Sequence, residues 1–156
     1  MLGCARVNDP RGPREPLISA TWFEELIRTQ MDLGMDFSFR VEELSWGRAV
    51  LRLAASERHL RPGGTISGPI LFTFADTALY AAVLSCVGEH PLTVTTDMTI
   101  NFLRRAPQGE LIAEANIHKP GRTLLFGAIS IRSEARDGVI CHATGTYARP
   151  PGPSRA

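Results

Sequence analysis

Between Pro62 and Gly88 only one side chain is formally charged: Asp76, in the run GPILFTFADTALYAAVLSCVG. A carboxylate left unpaired in apolar surroundings is costly, so Asp76 either bonds a neighbouring backbone group or reaches a wet cleft. In a cleft, a carboxylate tuned by its surroundings is a common carrier of chemistry. Just upstream lies Arg61-Pro62-Gly63-Gly64-Thr65-Ile66-Ser67-Gly68-Pro69. Pro69 suits the first helical position, where a missing N–H costs nothing, and Gly68 suits the cap before it. Asp76 then falls about two turns further on, and the 3.6-residue period places Pro69, Phe72, Thr73, Asp76 and Tyr80 on one face. Unpaired N–H groups at a helix start bind anions, an oxyanion included. One helix therefore offers a donor that could polarise a carbonyl and a carboxylate that could activate water or attack, which is acyl-transfer equipment.

Other chemistries find less support. Ser67 stands in Gly64-Thr65-Ile66-Ser67-Gly68, which is not a G-x-S-x-G elbow, and it precedes a helix without following a strand. It reads as a hydrogen-bonding residue of the loop or for a substrate, and none of His59, His90, His118 and His142 has an obvious link to it in the sequence. The histidines lack paired metal spacing, so no metal is expected. Formal charge is +1, and Arg104-Arg105 is the one adjacent basic pair, which argues against nucleic acid. Three cysteines, Cys4, Cys86 and Cys141, show no C-x-x-C spacing and fit a reducing cytoplasm.

The elements that must hold these residues can be read from periodicity. The chain's 156 residues suit one domain with its own core. Residues 1–16 and 149–156, rich in Pro, Arg and Gly, read as flexible tails around a domain over 17–148. Ser19 or Thr21 can cap an amphipathic helix running to about Leu33. Phe37, Phe39 and Val41 begin a strand, Ser45 to Arg48 turn the chain, and Ala49, Leu51 and Leu53 start the return. The helix from Pro69 to Val87 is long enough to span a membrane. Asp76 and the strands around it favour a helix buried by a sheet, and no membrane is expected. Four strands follow. Val94, Thr96, Met98, Ile100 and Phe102 alternate with Thr95, Asp97, Thr99 and Asn101, so Thr95 is expected on the polar face. Leu111 to Ile117 alternates, Thr123 to Ile131 is apolar on both faces, and Arg136-Asp137-Gly138 is a hairpin turn into Val139 to Tyr147. The fold class is α+β, with a long helix against an antiparallel sheet. Phe72, Phe74, Tyr80 and Phe102 are the candidate apolar lining of a site.

The Gly-rich loop, the long apolar helix and its Ala75-Asp76-Thr77-Ala78 centre resemble the hotdog-fold thioesterases of the phenylacetyl-CoA type, over roughly Phe37 to Tyr147. That family's usual motif is His-Gly-Gly, a few mostly apolar residues, then Asp. Here Ser67-Gly68-Pro69 stands at the triplet, Asp76 at the matching spacing, and Arg61 where an Asn is usual. The resemblance implies a hotdog fold and hydrolysis of an acyl-CoA, with no cofactor beyond the substrate's own CoA. It implies Asp76 as general base or nucleophile, the Gly68 N–H as oxyanion donor, and Thr95 as holder of the attacking water. Ser67, Pro69 and Arg61 then border the substrate. The turn Lys119-Pro120-Gly121-Arg122 implies a basic contact to the CoA phosphates, Arg122 first, with Arg104, Arg105 and Lys119 behind it. It also implies a homodimer or a tetramer of dimers, paired through the strand 93–103, with the site shared between protomers. The changes at Ser67, Pro69 and Arg61 leave open a second role, an acyl-ligand binding protein without turnover. A hydratase of the same fold is the weaker third, since such enzymes pair an Asp with a nearby His.

Overall fold

A helix that is apolar on every side must be enclosed, and helix α2 (Gly68–Val87) is. Phe74, Leu79 and Leu84 are fully buried, as are the alanines at 75, 78, 81 and 82. Each large side chain so enclosed contributes about 1.5–3 kcal/mol. The helix is long and apolar enough to cross a membrane, yet most of it is buried inside this fold. In the computed structural model, which describes residues 14–150 apart from 32 and 34–36, a six-stranded antiparallel sheet wraps it.

The strands are β1 (Phe39–Ser45), β2 (Arg48–Ala55), β5 (Val94–Phe102), β6 (Gly109–Pro120), β7 (Leu124–Ser133) and β8 (Arg136–Ala148), in the spatial order β1-β2-β6-β7-β8-β5. Helix α1 (Ala20–Gln30) packs by β1, its Trp22 N–H capped by the Ser19 hydroxyl. A second pair, β3 (Leu60–Arg61) and β4 (Thr65–Ile66), forms a small hairpin across Pro62-Gly63-Gly64. That hairpin escapes a reading by periodicity because each of its strands is only two residues long. The expected tails lie mostly outside the described residues, as does Cys4. Arg14, at the inner end of the first tail, sits over the Trp46 ring at 4.9 Å, and Leu17 N–H bonds the Ser85 carbonyl.

Close approach of helix and sheet depends on one rung. Gly127 of β7 pairs with Gly145 of β8, and both lie under Leu79. A Cβ at Gly127 would stand 2.8 Å from Leu79 Cδ1 and 2.7 Å from the Asn116 carbonyl oxygen; one at Gly145 would stand 3.0 Å from Leu79 Cδ2. Only glycine lets this leucine seat on the sheet.

Three sequence expectations need correction. The cap of α2 is Ser67, whose hydroxyl makes no capping bond, and Gly68 is the first helical residue. The β7–β8 turn is Glu134-Ala135, where the Ala135 N–H bonds the Ser133 hydroxyl. Asp137-Gly138 falls inside β8, where the register with β7 slips near Arg132. Finally, β5 does not alternate throughout. Thr95 pairs with Tyr147 and Asp97 with Thr146, so Thr96 is an extra residue in a β-bulge. The bulge inverts parity, and Thr95 shares the inner face with Met98 and Ile100 instead of the outer face with Asp97.

Candidate active site

Two hydroxyls of α2 donate to carbonyls of their own helix. Thr77 Oγ1 donates to the Thr73 carbonyl, and Ser85 Oγ donates to the Ala82 carbonyl while accepting from Gly47 N–H. Asp76 instead reaches out of the helix to the sheet. Its Oδ1 accepts from Thr95 Oγ1 at 3.0 Å and from the Tyr147 hydroxyl at 2.7 Å. The two donors are directly opposite each other across the β5–β8 ladder, which the bulge at Thr96 makes possible. Asp76 is half-buried and Thr95 exposed, so the carboxylate stands at the boundary of the core.

Behind this group lies an aromatic wall. Tyr147, buried, stacks on Tyr80 with ring centres 5.6 Å apart and planes 13° from parallel. Tyr80 donates its hydroxyl to the Pro91 carbonyl and meets Phe23 edge-on at 5.7 Å. Both phenols are pushed above their ordinary range, first by burial and next by the Asp76 charge. Tyr147 therefore remains an O–H donor at neutral pH. Tyr80, offered by the sequence as a lining residue, is buried against Tyr147.

The N-terminus of α2 forms a second region. A cleft of about 470 Å³ is lined there by Arg61, Thr65, Gly68, Leu71, Phe102 and the Arg104–Ala106 segment. Gly68 lies in the first turn, whose N–H groups have no partner within the helix. The Phe102 ring faces it, 3.4 Å from where a Cβ would be, and Phe72 is exposed one turn on. Arg104 holds the Val139 carbonyl at 2.7 Å. Ser67 and Pro69 flank Gly68 in sequence. Lys119 and Arg122 are exposed at the β6–β7 turn, beside the Leu124–Ala148 rung and hence at the Tyr147 end of the sheet.

The structure thus joins Asp76 to Thr95 and gathers Gly68, Arg61 and Arg104 around a cleft. It does not bring the two regions together within one chain. Tyr147 was missed from sequence, because a tyrosine closing an alternating strand looks like any core aromatic. Cysteine chemistry has no foothold: burial pushes the Cys86 thiol up to about 11 and the Cys141 thiol to about 12. Among the described residues no group of three His, Cys, Asp or Glu could hold a metal ion.

The Thioesterase superfamily profile matches residues 63–140, from the β3–β4 turn into β8. A solved structure from Silicibacter sp. TM1040, described as a candidate thioesterase, is 36% identical, superposes with a TM-score of 0.75, and covers 88% of this chain and 95% of its own. Mouse acyl-coenzyme A thioesterase 13 is 25% identical over 100 residues, 64% of this chain and 71% of that one. The E. coli PaaI protein from the phenylacetic acid degradation operon is 22% identical, with a TM-score of 0.73 over 85% of this chain and 94% of its own, a likeness of fold. With a long helix enclosed by an antiparallel sheet and this match across the helix and the strands that follow it, the chain belongs to the thioesterase superfamily, hotdog-fold hydrolases of acyl thioesters.

Proposed function

We propose that this protein hydrolyses acyl-CoA thioesters, with Asp76 as the group that activates water or attacks the carbonyl. The observation that carries this reading is the Asp76 carboxylate, held by Thr95 and Tyr147 through one oxygen. The other oxygen, Oδ2, is left to the reaction. In the general-base route, Asp76 takes a proton from water as its oxygen bonds the thioester carbon; the tetrahedral intermediate then expels CoA thiolate, which takes that proton. In the nucleophilic route the carboxylate itself adds, CoA leaves, and water opens the acyl-aspartyl anhydride. Thr95 serves either route by fixing the carboxylate, a different part from the water-holding one that the family resemblance implies. No group beyond the substrate's CoA is needed.

The oxyanion donor in this reading is the Gly68 N–H, strengthened by the α2 dipole. Along one helix Gly68 and Asp76 are roughly 12 Å apart, too far for one carbonyl carbon that must lie about 3 Å from each partner. A neighbouring protomer resolves this. Strand β5 is one of the two edges of the sheet and exposes Val94 and Phe102, with Leu103 just beyond. Pairing β5 with an antiparallel copy sets the Gly68 end of one protomer against the Asp76 end of the other. The cations then fall on one composite site: Arg61, Arg104 and Arg105 from the first, Lys119 and Arg122 from the second. Guanidinium forks suit the CoA phosphates, and Phe72 and Phe102 supply apolar surface to the acyl group.

The test is thiol release over a panel of aliphatic and aromatic acyl-CoAs, comparing wild type with Asp76→Asn. Loss of a general base costs about a hundredfold or more, and the isostere should keep the fold. Turnover within a few-fold of wild type in Asp76→Asn removes Asp76 from the chemistry. A panel with no turnover in the wild type removes acyl-CoA as the substrate class.

A further inference from the structure

We infer that Tyr147 is a positioning residue of this enzyme: with Thr95 it commits Asp76 Oδ1 to the protein and so selects Oδ2 as the oxygen that reacts. The inference rests on the Asp76 reading above and adds a residue to it.

The geometry is specific. A carboxylate has two oxygens and about four acceptor sites, yet both hydroxyl donors converge on Oδ1, at 3.0 and 2.7 Å. The Tyr147 hydroxyl also stands 3.4 Å from the Asp76 backbone carbonyl, so its single proton is shared mainly with Oδ1 and only weakly with the main chain. A tyrosine is well suited to this. Its ring has few rotatable bonds, and here it is fixed on one face by the Tyr80 stack and along its backbone by ladders to both Leu125 and Thr95. Its hydroxyl therefore cannot follow Asp76 if the carboxylate turns. Hydrogen bonds withdraw charge from the oxygen that accepts them, leaving the free oxygen as the better base or nucleophile. Thr95 alone holds the carboxylate less firmly, since its backbone sits where the β5 register shifts, whereas Tyr147 is fixed by a ladder on either side. Burial keeps the Tyr147 phenol protonated, so the donor persists across neutral pH.

Tyr147→Phe keeps the ring, the stack and the packing, and removes only the donor. With the best acyl-CoA of the panel, kcat should fall by about tenfold to a hundredfold, the span carried by one hydrogen bond to a charged group. KM should stay within about twofold and the thermal midpoint close to wild type, a split that a merely structural hydroxyl would not give. Isotope-edited infrared difference spectra against Asp76→Asn isolate the Asp76 carboxylate stretches. Their splitting should be wide in wild type, where one oxygen takes both bonds, and should narrow in Tyr147→Phe. An unchanged kcat, a loss confined to KM, or an unchanged splitting overturns the inference. If Asp76→Asn is inactive while Tyr147→Phe is fully active, this inference alone fails; if Asp76→Asn is active, the reading beneath it fails too.

Discussion

Gly68 carries an informative glycine because nothing in the fold demands one there. A Cβ at this position would rest 3.4 Å from the Phe102 ring, an ordinary contact at the edge of an open cleft. Gly68→Ala should therefore fold with an unchanged thermal midpoint. A substrate carbonyl seeking the N–H would meet the new methyl, and kcat/KM should fall by about tenfold or more, the size of effect seen when an oxyanion donor is impaired. Full activity in Gly68→Ala would show that no reacting group approaches that backbone. Asp76, Thr95 and Tyr147 form the complementary case. There the side chains are the point, and each is held by a different element.

At the scale of elements, the distance between α2 and the sheet is fixed by Leu79 resting on the Gly127–Gly145 rung. That rung lies one pleat from Tyr147, so any lift of the helix at Leu79 also pulls Asp76 away from its donors. Gly127→Ala should destabilise the protein by about 1–3 kcal/mol, the usual cost of overpacking, read as a lower urea midpoint. Activity should drop before the midpoint is reached, because the Asp76 bonds are stretched while the fold survives. The same elements show what a sequence exposes and what it hides. The mostly apolar run from Ile70 to Val87 announces a buried helix, and the lone acid in it marks the candidate site. Alternation announces most strands, since each has one face on the helix. It fails in β5, where one extra residue at Thr96 reverses the faces without any change of composition. It fails also at Asp137-Gly138, a turn dipeptide absorbed into a strand because Glu134-Ala135 closes the hairpin first. Tyr147 stays silent for another reason: its partner is 71 residues away, and only the ladder brings them together.

For the whole molecule the question is how many chains make one site. The helix start lies by the Phe102 end of β5 and the Asp76 triad by its Thr95 end, and β5 is an exposed edge strand. Light scattering should report at least twice the 17.0 kDa of one chain at micromolar concentration. The sharper check mixes two inactive parents, Asp76→Asn and Gly68→Val. Refolded together, they should regain part of the wild-type rate, since a mixed dimer contains one site with both intact groups. Mixed dimers that remain as inactive as their parents would place the whole reaction within a single chain. The family match bears on the reaction class and is indifferent to this result.

The chain has two tyrosines in all, and they are the stacked pair behind Asp76. Every tyrosine signal of the protein is consequently a signal from that wall, free of any background from elsewhere. Ultraviolet resonance Raman of the unlabelled enzyme separates phenol bands from those of Trp22 and Trp46. The phenol bands that respond to hydrogen bonding report the bonds of Tyr147 to Asp76 and of Tyr80 to the Pro91 carbonyl, and the part lost in Tyr147→Phe is the grip on Asp76. Titrating a non-hydrolysable acyl-CoA analogue while following those bands would show the carboxylate being drawn toward its ligand or left in place. The protein carries its own optical probe beside the proposed catalytic carboxylate.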